Sequence, residues 1–198
     1  VTLTRSSTLQ EVAAVVGMHL ASRGIRAVLT GGACVAIHTG THVSKDADFV
    51  LQGNISLRTL DAALRELGFA RRGAEYIHPD VPFTVEFPPG PLSIGEDLAI
   101  VPVDLTVGSL KVLGLSATDS CRDRLSAFFH WNDRQSLALA VEIARSNPVD
   151  MAVIRAWSRG EGKSKEFEEF LRKARRPDRG TGRRHGRKRR PRGGLARE

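Results

Sequence analysis

Apolar and polar positions alternate along the chain in blocks whose period switches several times. Leu9, Val12, Ala13, Val16 and Leu20 recur at helical spacing behind Thr8-Leu9-Gln10-Glu11. Thr8 and Glu11 are placed there to satisfy each other's backbone donors as a capping box. Gly24 stops that helix. Ala27-Val28-Leu29-Thr30 is a short apolar strand that runs directly into Gly31-Gly32, and residues 33–38 then form a short helix. After a polar turn over 39–45, Asp46-Ala47-Asp48-Phe49-Val50-Leu51 returns to period two. Ser56 caps a helix with Leu57, Leu60, Leu64 and Leu67 on one face and Gly68 as its stop. Short strands are predicted over 69–72, 75–78, 83–87, 99–105 and 109–115, interrupted by Pro88-Pro89-Gly90-Pro91. From Thr118 the period is helical, over 119–131, 133–145, 148–159 and 163–174, with Trp131 and Trp157 in apolar patterns that place both in the core.

This order predicts an α+β fold, a mixed sheet with a helical C-terminal subdomain. A doubly wound sheet is excluded, because the middle of the chain lacks regular βα alternation. The units expected are 1–116 (sheet domain), 117–174 (helical subdomain) and 175–198, a basic tail with nothing to bury, expected to be disordered.

Charge sharpens that division. The formal net charge of +8 over 198 residues is uneven. Residues 172–198 hold 13 basic and 2 acidic side chains, which leaves 17 basic and 20 acidic in the rest. The body is mildly acidic, and a tail carries the excess. The tail is either a solvated extension or a polybasic grip on RNA or DNA. The 41% hydrophobic content supports a core. No apolar run reaches the ~18–20 residues that span a bilayer, so no membrane partner is expected. The N-terminus lacks signal-peptide features. Cys34 and Cys121 cannot build a disulfide framework, and a cytoplasmic location is expected.

The chemistry centres on Asp46-x-Asp48. Residues two apart in a strand share a face, with Cα atoms ~6.5 Å apart, so the two carboxylates can share a hard cation such as Mg2+. The chain's other acid-x-acid pair, Glu166-x-Glu168, falls on a charged helix where such positions diverge. Gly31-Gly32 follows a strand and opens a helix, where glycine lets the backbone approach a phosphate and the free N–H groups receive it. An ordinary strand-to-helix turn would also use glycine. Glu86 lies between Val85 and Phe87 in an alternating strand and can supply a third carboxylate, with Glu75, Glu96 and Asp104 as competitors. A phosphate cradle with three carboxylates is what two-metal phosphoryl transfer needs, its ions ~3.5–4 Å apart.

These residues resemble the nucleotidyltransferase superfamily with the DNA polymerase β-type catalytic fold. The shared pattern is Thr30-Gly31-Gly32, thirteen intervening residues, Asp46-Ala47-Asp48-Phe49-Val50 and a later acid. Within the superfamily the chain looks similar to the abortive-infection toxins of AbiEii/AbiGii type. In Gly40 to Asp48, His42 stands in their basic position and Ser44 in their Thr position. Cys121 to Phe128 and Trp131 to Leu137 resemble their second half, where Arg122 or Arg124 replaces a lysine, with a different hydrogen-bonding geometry. The resemblance covers residues 10–170. It implies a catalytic and metal-binding set of Asp46, Asp48 and Glu86 with two Mg2+ ions, and an NTP substrate held by Gly31, Gly32, Ser44, Lys45, Arg122 and Arg124. It also implies a bacterial phage-defence role, tRNA or another RNA as acceptor, and a cognate antitoxin as partner.

Plainer roles stand beside these. Arg122, Arg124 and Arg134 can pair with Asp119, Asp123 and Asp133 along helix surfaces. His78 and His130 are structural or exposed, and Cys34 is a small buried residue. Two alternatives to the RNA-directed enzyme follow: a non-catalytic protein of the same fold that binds RNA or a partner, and an aminoglycoside-type small-molecule nucleotidyltransferase.

Overall fold

The computed structural model describes residues 3–41 and 44–175. His42 and the tail beyond Arg175 lie outside the described residues.

Helix α1 (Leu9–Ser22) starts at the expected capping box: Thr8 and Glu11 each accept from the other's backbone N–H. It leads to β1 (Ala27–Thr30), α2 (Gly31–Thr39) and β2 (Asp46–Leu51). Helix α2 begins at Gly31 itself, two residues earlier than the apolar pattern marks, because glycine's positive φ of 60° lets the chain turn straight out of the strand. Next come α3 (Leu57–Glu66), β3 (Ala70–Arg72), β4 (Glu75–Ile77), β5 (Thr84–Glu86), β6 (Val103–Val107) and β7 (Leu110–Gly114). The helices α4 (Ala117–Trp131), α5 (Arg134–Ser146), α6 (Met151–Gly160) and α7 (Ser164–Arg175) complete the chain.

Among the described residues the strands form one mixed sheet in the order β3-β4-β5-β2-β1-β7-β6. β1 runs antiparallel to β2 and parallel to β7, while β2 and β5 are parallel. The strand expected over 99–105 is displaced to β6. Pro102 has no N–H to give a ladder, and Leu98 and Val101 stand 65% and 74% exposed in irregular chain before it.

The core has two apolar clusters. One joins α1, α3 and the sheet through residues such as Val16, Leu29, Phe49 and Val85. The other joins α4, α5, α6 and α7 through Leu125, Phe128, Ile143, Ile154 and Phe170. Val35 of α2 belongs to the second cluster, and Trp157 packs against both. The stretch 94–97 is tied to the helices by three contacts. The Trp157 indole N–H donates to the Ile94 carbonyl at 3.2 Å, the Glu96 N–H donates to Glu161 at 3.1 Å, and Asp97 pairs with Arg122.

Trp131, expected in the core, is 76% exposed. Helix α4 ends at this residue, and Asn132 follows with a left-handed φ of 51°, so the ring lies past the last packed turn. Arg134 pairs with Glu169 rather than Asp133, whose carboxylate instead caps α5. Among the described residues, no helix is long and apolar enough to cross a membrane.

Candidate active site

Strand alternation sets the first two carboxylates. Ala47 and Phe49 turn into the core, and half-buried Asp46 and Asp48 share the opposite face of β2. The Ser44 hydroxyl donates to Asp46 Oδ1 at 2.7 Å, so the residue in the motif's Thr position orients the first acid. The Lys45 side chain is exposed; its carbonyl accepts from the Thr84 N–H at 3.0 Å and helps seat β5 beside β2.

The sheet register brings in the rest. Thr30 lies opposite Asp48 across β1 and β2, and its hydroxyl donates to the Asp48 carbonyl at 3.4 Å. The next residue, Gly31, therefore stands against the Asp48 side chain. A Cβ on Gly31 would overlap Asp48 Oδ2, so the position requires glycine for close approach as well as for its φ. Thr30 makes no side-chain cap on α2, which leaves the first-turn N–H groups, Gly32's among them, free to receive an anion. On the other side, Glu86 of β5 is the register partner of Asp48. Of its sequence competitors, Glu75 sits opposite Glu86 on β4, Glu96 belongs to the stretch bound by Glu161, and Asp104 pairs with Lys111 on β6.

The charges act on one another. Burial, reinforced by Asp46 and Glu86, pushes the Asp48 carboxyl up from its ordinary 3.8 to about 6, with Arg124 opposing. Glu86 is also raised, by burial and then by Asp46 and Glu75. The donor chemistry suits a hard divalent cation. As the side chains stand, no three His, Cys, Asp or Glu groups among the described residues converge to hold a metal ion. A metal centre here requires the carboxylates to come closer together than they stand.

Of the two candidate arginines, Arg124 faces the carboxylates. Its guanidinium donates twice to Asp123, at 3.1 and 2.6 Å. Burial opposes its charge, and Asp123 and Asp48 more than compensate. Arg122, expected at the nucleotide, is instead 4% exposed and committed elsewhere. It pairs with Asp119 at 2.9 Å and with Asp97, and lies 5.2 Å over the Trp157 ring. Two residues apart on a helix, the arginines point about 200° apart, so one cannot join the other. The plainer roles expected of His78, His130 and Cys34 agree with their surroundings. His78 packs on Phe69, His130 lies 3.3 Å from Glu161, and Cys34 is fully buried.

The sequence did not mark Asp123 as part of this neighbourhood. The signal was present in Asp123-Arg124, an adjacent ion pair two residues beyond buried Cys121.

Searches of family models and of curated proteins give no match to this sequence. Comparison with solved structures does. An antigenic nucleotidyltransferase-like protein from Paracoccidioides brasiliensis superposes with a TM-score of 0.58 at 17% identity, over 85% of this chain and 94% of that one. The antibiotic-resistance factor ANT(2'')-Ia superposes with a TM-score of 0.52 at 14% identity, over 83% of this chain and all of the other. The chain therefore has a nucleotidyltransferase-like fold. At this identity the likeness concerns the fold alone.

Proposed function

We propose that the protein is a metal-dependent nucleotidyltransferase that moves a nucleotidyl group from an NTP to an acceptor hydroxyl. The observation that carries the reading is the register of β1, β2 and β5, which sets Gly31 of α2 and Glu86 on either side of Asp48. The first turn of α2 and Arg124 hold the phosphates, by N–H donors and by charge. Asp46, Asp48 and Glu86 would hold Mg2+, which when bound neutralises the phosphate oxygens and steadies the attacking and leaving oxygens. Glu86, whose carboxyl is raised from its ordinary value by burial and by Asp46 and Glu75, is suited to take the acceptor's proton. The acceptor oxygen then bonds to the α-phosphorus, the bond to the β-phosphate oxygen breaks, and pyrophosphate leaves with that electron pair.

Two acceptor classes fit. RNA suits the basic tail, and a small cationic acceptor suits an acidic cleft and the fold shared with ANT(2'')-Ia. The test incubates the full chain and its Asp46→Ala/Asp48→Ala variant with Mg2+ and labelled NTPs. Cellular RNA and a panel of aminoglycosides are supplied in parallel. Label transferred by the wild type alone supports the enzyme, and the acceptor that takes it decides the class. No transfer by either protein favours the non-catalytic alternative.

A further inference from the structure

Among the described residues, Trp131 is the largest apolar side chain left in water, at 76% exposure. The chain's other tryptophan is treated differently: Trp157 is half-buried, stacks on Phe129 at 5.3 Å and donates to a carbonyl. The position of Trp131 on α4 gives its exposure a use. Seven residues separate it from Arg124, two helical turns short by only about 20°, so both lie on one stripe of α4. At a rise of ~1.5 Å per residue they stand about 10 Å apart along the axis. The stripe begins at buried Ser120, beside Cys34 of α2, and passes Arg124 at Asp48. It then crosses half-buried Ala127, the smallest side chain of the stripe, and emerges at Trp131. The His130 ring meets the indole edge-on at 5.9 Å and is itself held by Glu161, which braces Trp131 from the side.

We propose that Trp131 is the stacking platform for the base of the bound nucleotide, a role that rests on the nucleotidyltransferase reading above. The distance from Arg124 matches the reach of an extended nucleotide from phosphates to base, with the ribose over Ala127. Every base has a π-face, so the platform selects weakly among bases and stacks the larger purines best.

The test titrates the full chain with each of the four NTPs and with tripolyphosphate, in Mg2+, by calorimetry and tryptophan fluorescence. Wild type, Trp131→Ala, Trp131→Phe and Trp157→Phe are compared. Trp131→Ala is expected to weaken NTP binding about ten- to a hundredfold and to leave tripolyphosphate binding unchanged. Trp131→Phe stays within about fivefold of wild type. Nucleotide quenching of fluorescence persists in Trp157→Phe and disappears in Trp131→Ala. Wild-type NTP affinity in Trp131→Ala, an equal loss of tripolyphosphate affinity, or quenching that survives in Trp131→Ala overturns the platform and leaves the nucleotidyltransferase reading standing. A wild-type protein that binds neither NTPs nor tripolyphosphate overturns both.

Discussion

Replacing Asp48 by asparagine should make the protein more stable while destroying its activity. The folded environment raises this carboxyl from 3.8 to about 6, chiefly by burial. A carboxylate held above its ordinary value costs nothing below the unfolded pKa. The cost grows as pH rises from about 4 and is complete above about 6. A change of two powers of ten in acidity is worth about 3 kcal/mol at full effect. Asp48 is only half-buried, so solvent screening leaves roughly 1–2 kcal/mol. Asn has the same shape and no charge, so it removes that cost. In a chain of this size each kcal/mol moves Tm by about 2–4 °C. Asp48→Asn should therefore melt about 2–8 °C above wild type near pH 7.5 in EDTA, with the gain shrinking to nothing by about pH 4. Mg2+ should raise the wild-type Tm and close most of the gap, because a cation relieves the same repulsion. Differential scanning fluorimetry across this pH range, with and without Mg2+, reads all of this. A variant that melts at or below wild type near pH 7.5, or a gain independent of pH, would refute the account of Asp48.

Other outcomes follow from the same geometry. Glu86→Gln should lower the transfer rate about a hundredfold or more with circular dichroism unchanged, and EDTA should abolish wild-type transfer until Mg2+ is restored. Gly31→Ala should cost about 1–3 kcal/mol in urea denaturation, because it strains a positive φ and displaces Asp48. The two arginines should separate cleanly. Arg122→Met should cost about 3–5 kcal/mol by stranding Asp97 and Asp119, whereas Arg124→Gln should cost about 1 kcal/mol yet weaken triphosphate binding about tenfold. A chain ending at Arg175 should bind RNA more weakly at low salt, with a flatter salt dependence, and still modify a small acceptor; equal salt slopes would remove the tail from RNA binding.

The sheet and its helices were legible because burial is one-sided: the alternation of β2 and the spacing of α1 and α3 follow directly from which faces meet the core. β6 was misplaced because 98–103 is apolar without being buried, and composition cannot distinguish an exposed apolar stretch from a strand. Trp131 was misread for the same reason. At the site, Asp46, Asp48 and Gly31 are close in sequence, and local spacing reveals them. The pairing of Glu86 with Asp48 depends on β5 entering the sheet parallel to β2, thirty-eight residues later, which no local pattern encodes. The choice between Arg122 and Arg124 depends on how α4 is rotated against the sheet, and that is set by Cys121 and Leu125 packing inward.

The attachment of 94–97 to the helices has a consequence for the order in which the polypeptide is made. A chain emerging from the ribosome completes the seven strands found among the described residues by Gly114, before α4 begins at Ala117. At that moment it holds the three carboxylates and the opening of α2. Arg124 has yet to appear, and Asp97 still waits for Arg122. Helix α4 packs mainly against α5, so it docks only after α5 has followed it. The cation that opposes the carboxylate repulsion at Asp48 thus arrives after the carboxylates, and until α4 docks the cleft lacks the counter-charge of Arg124.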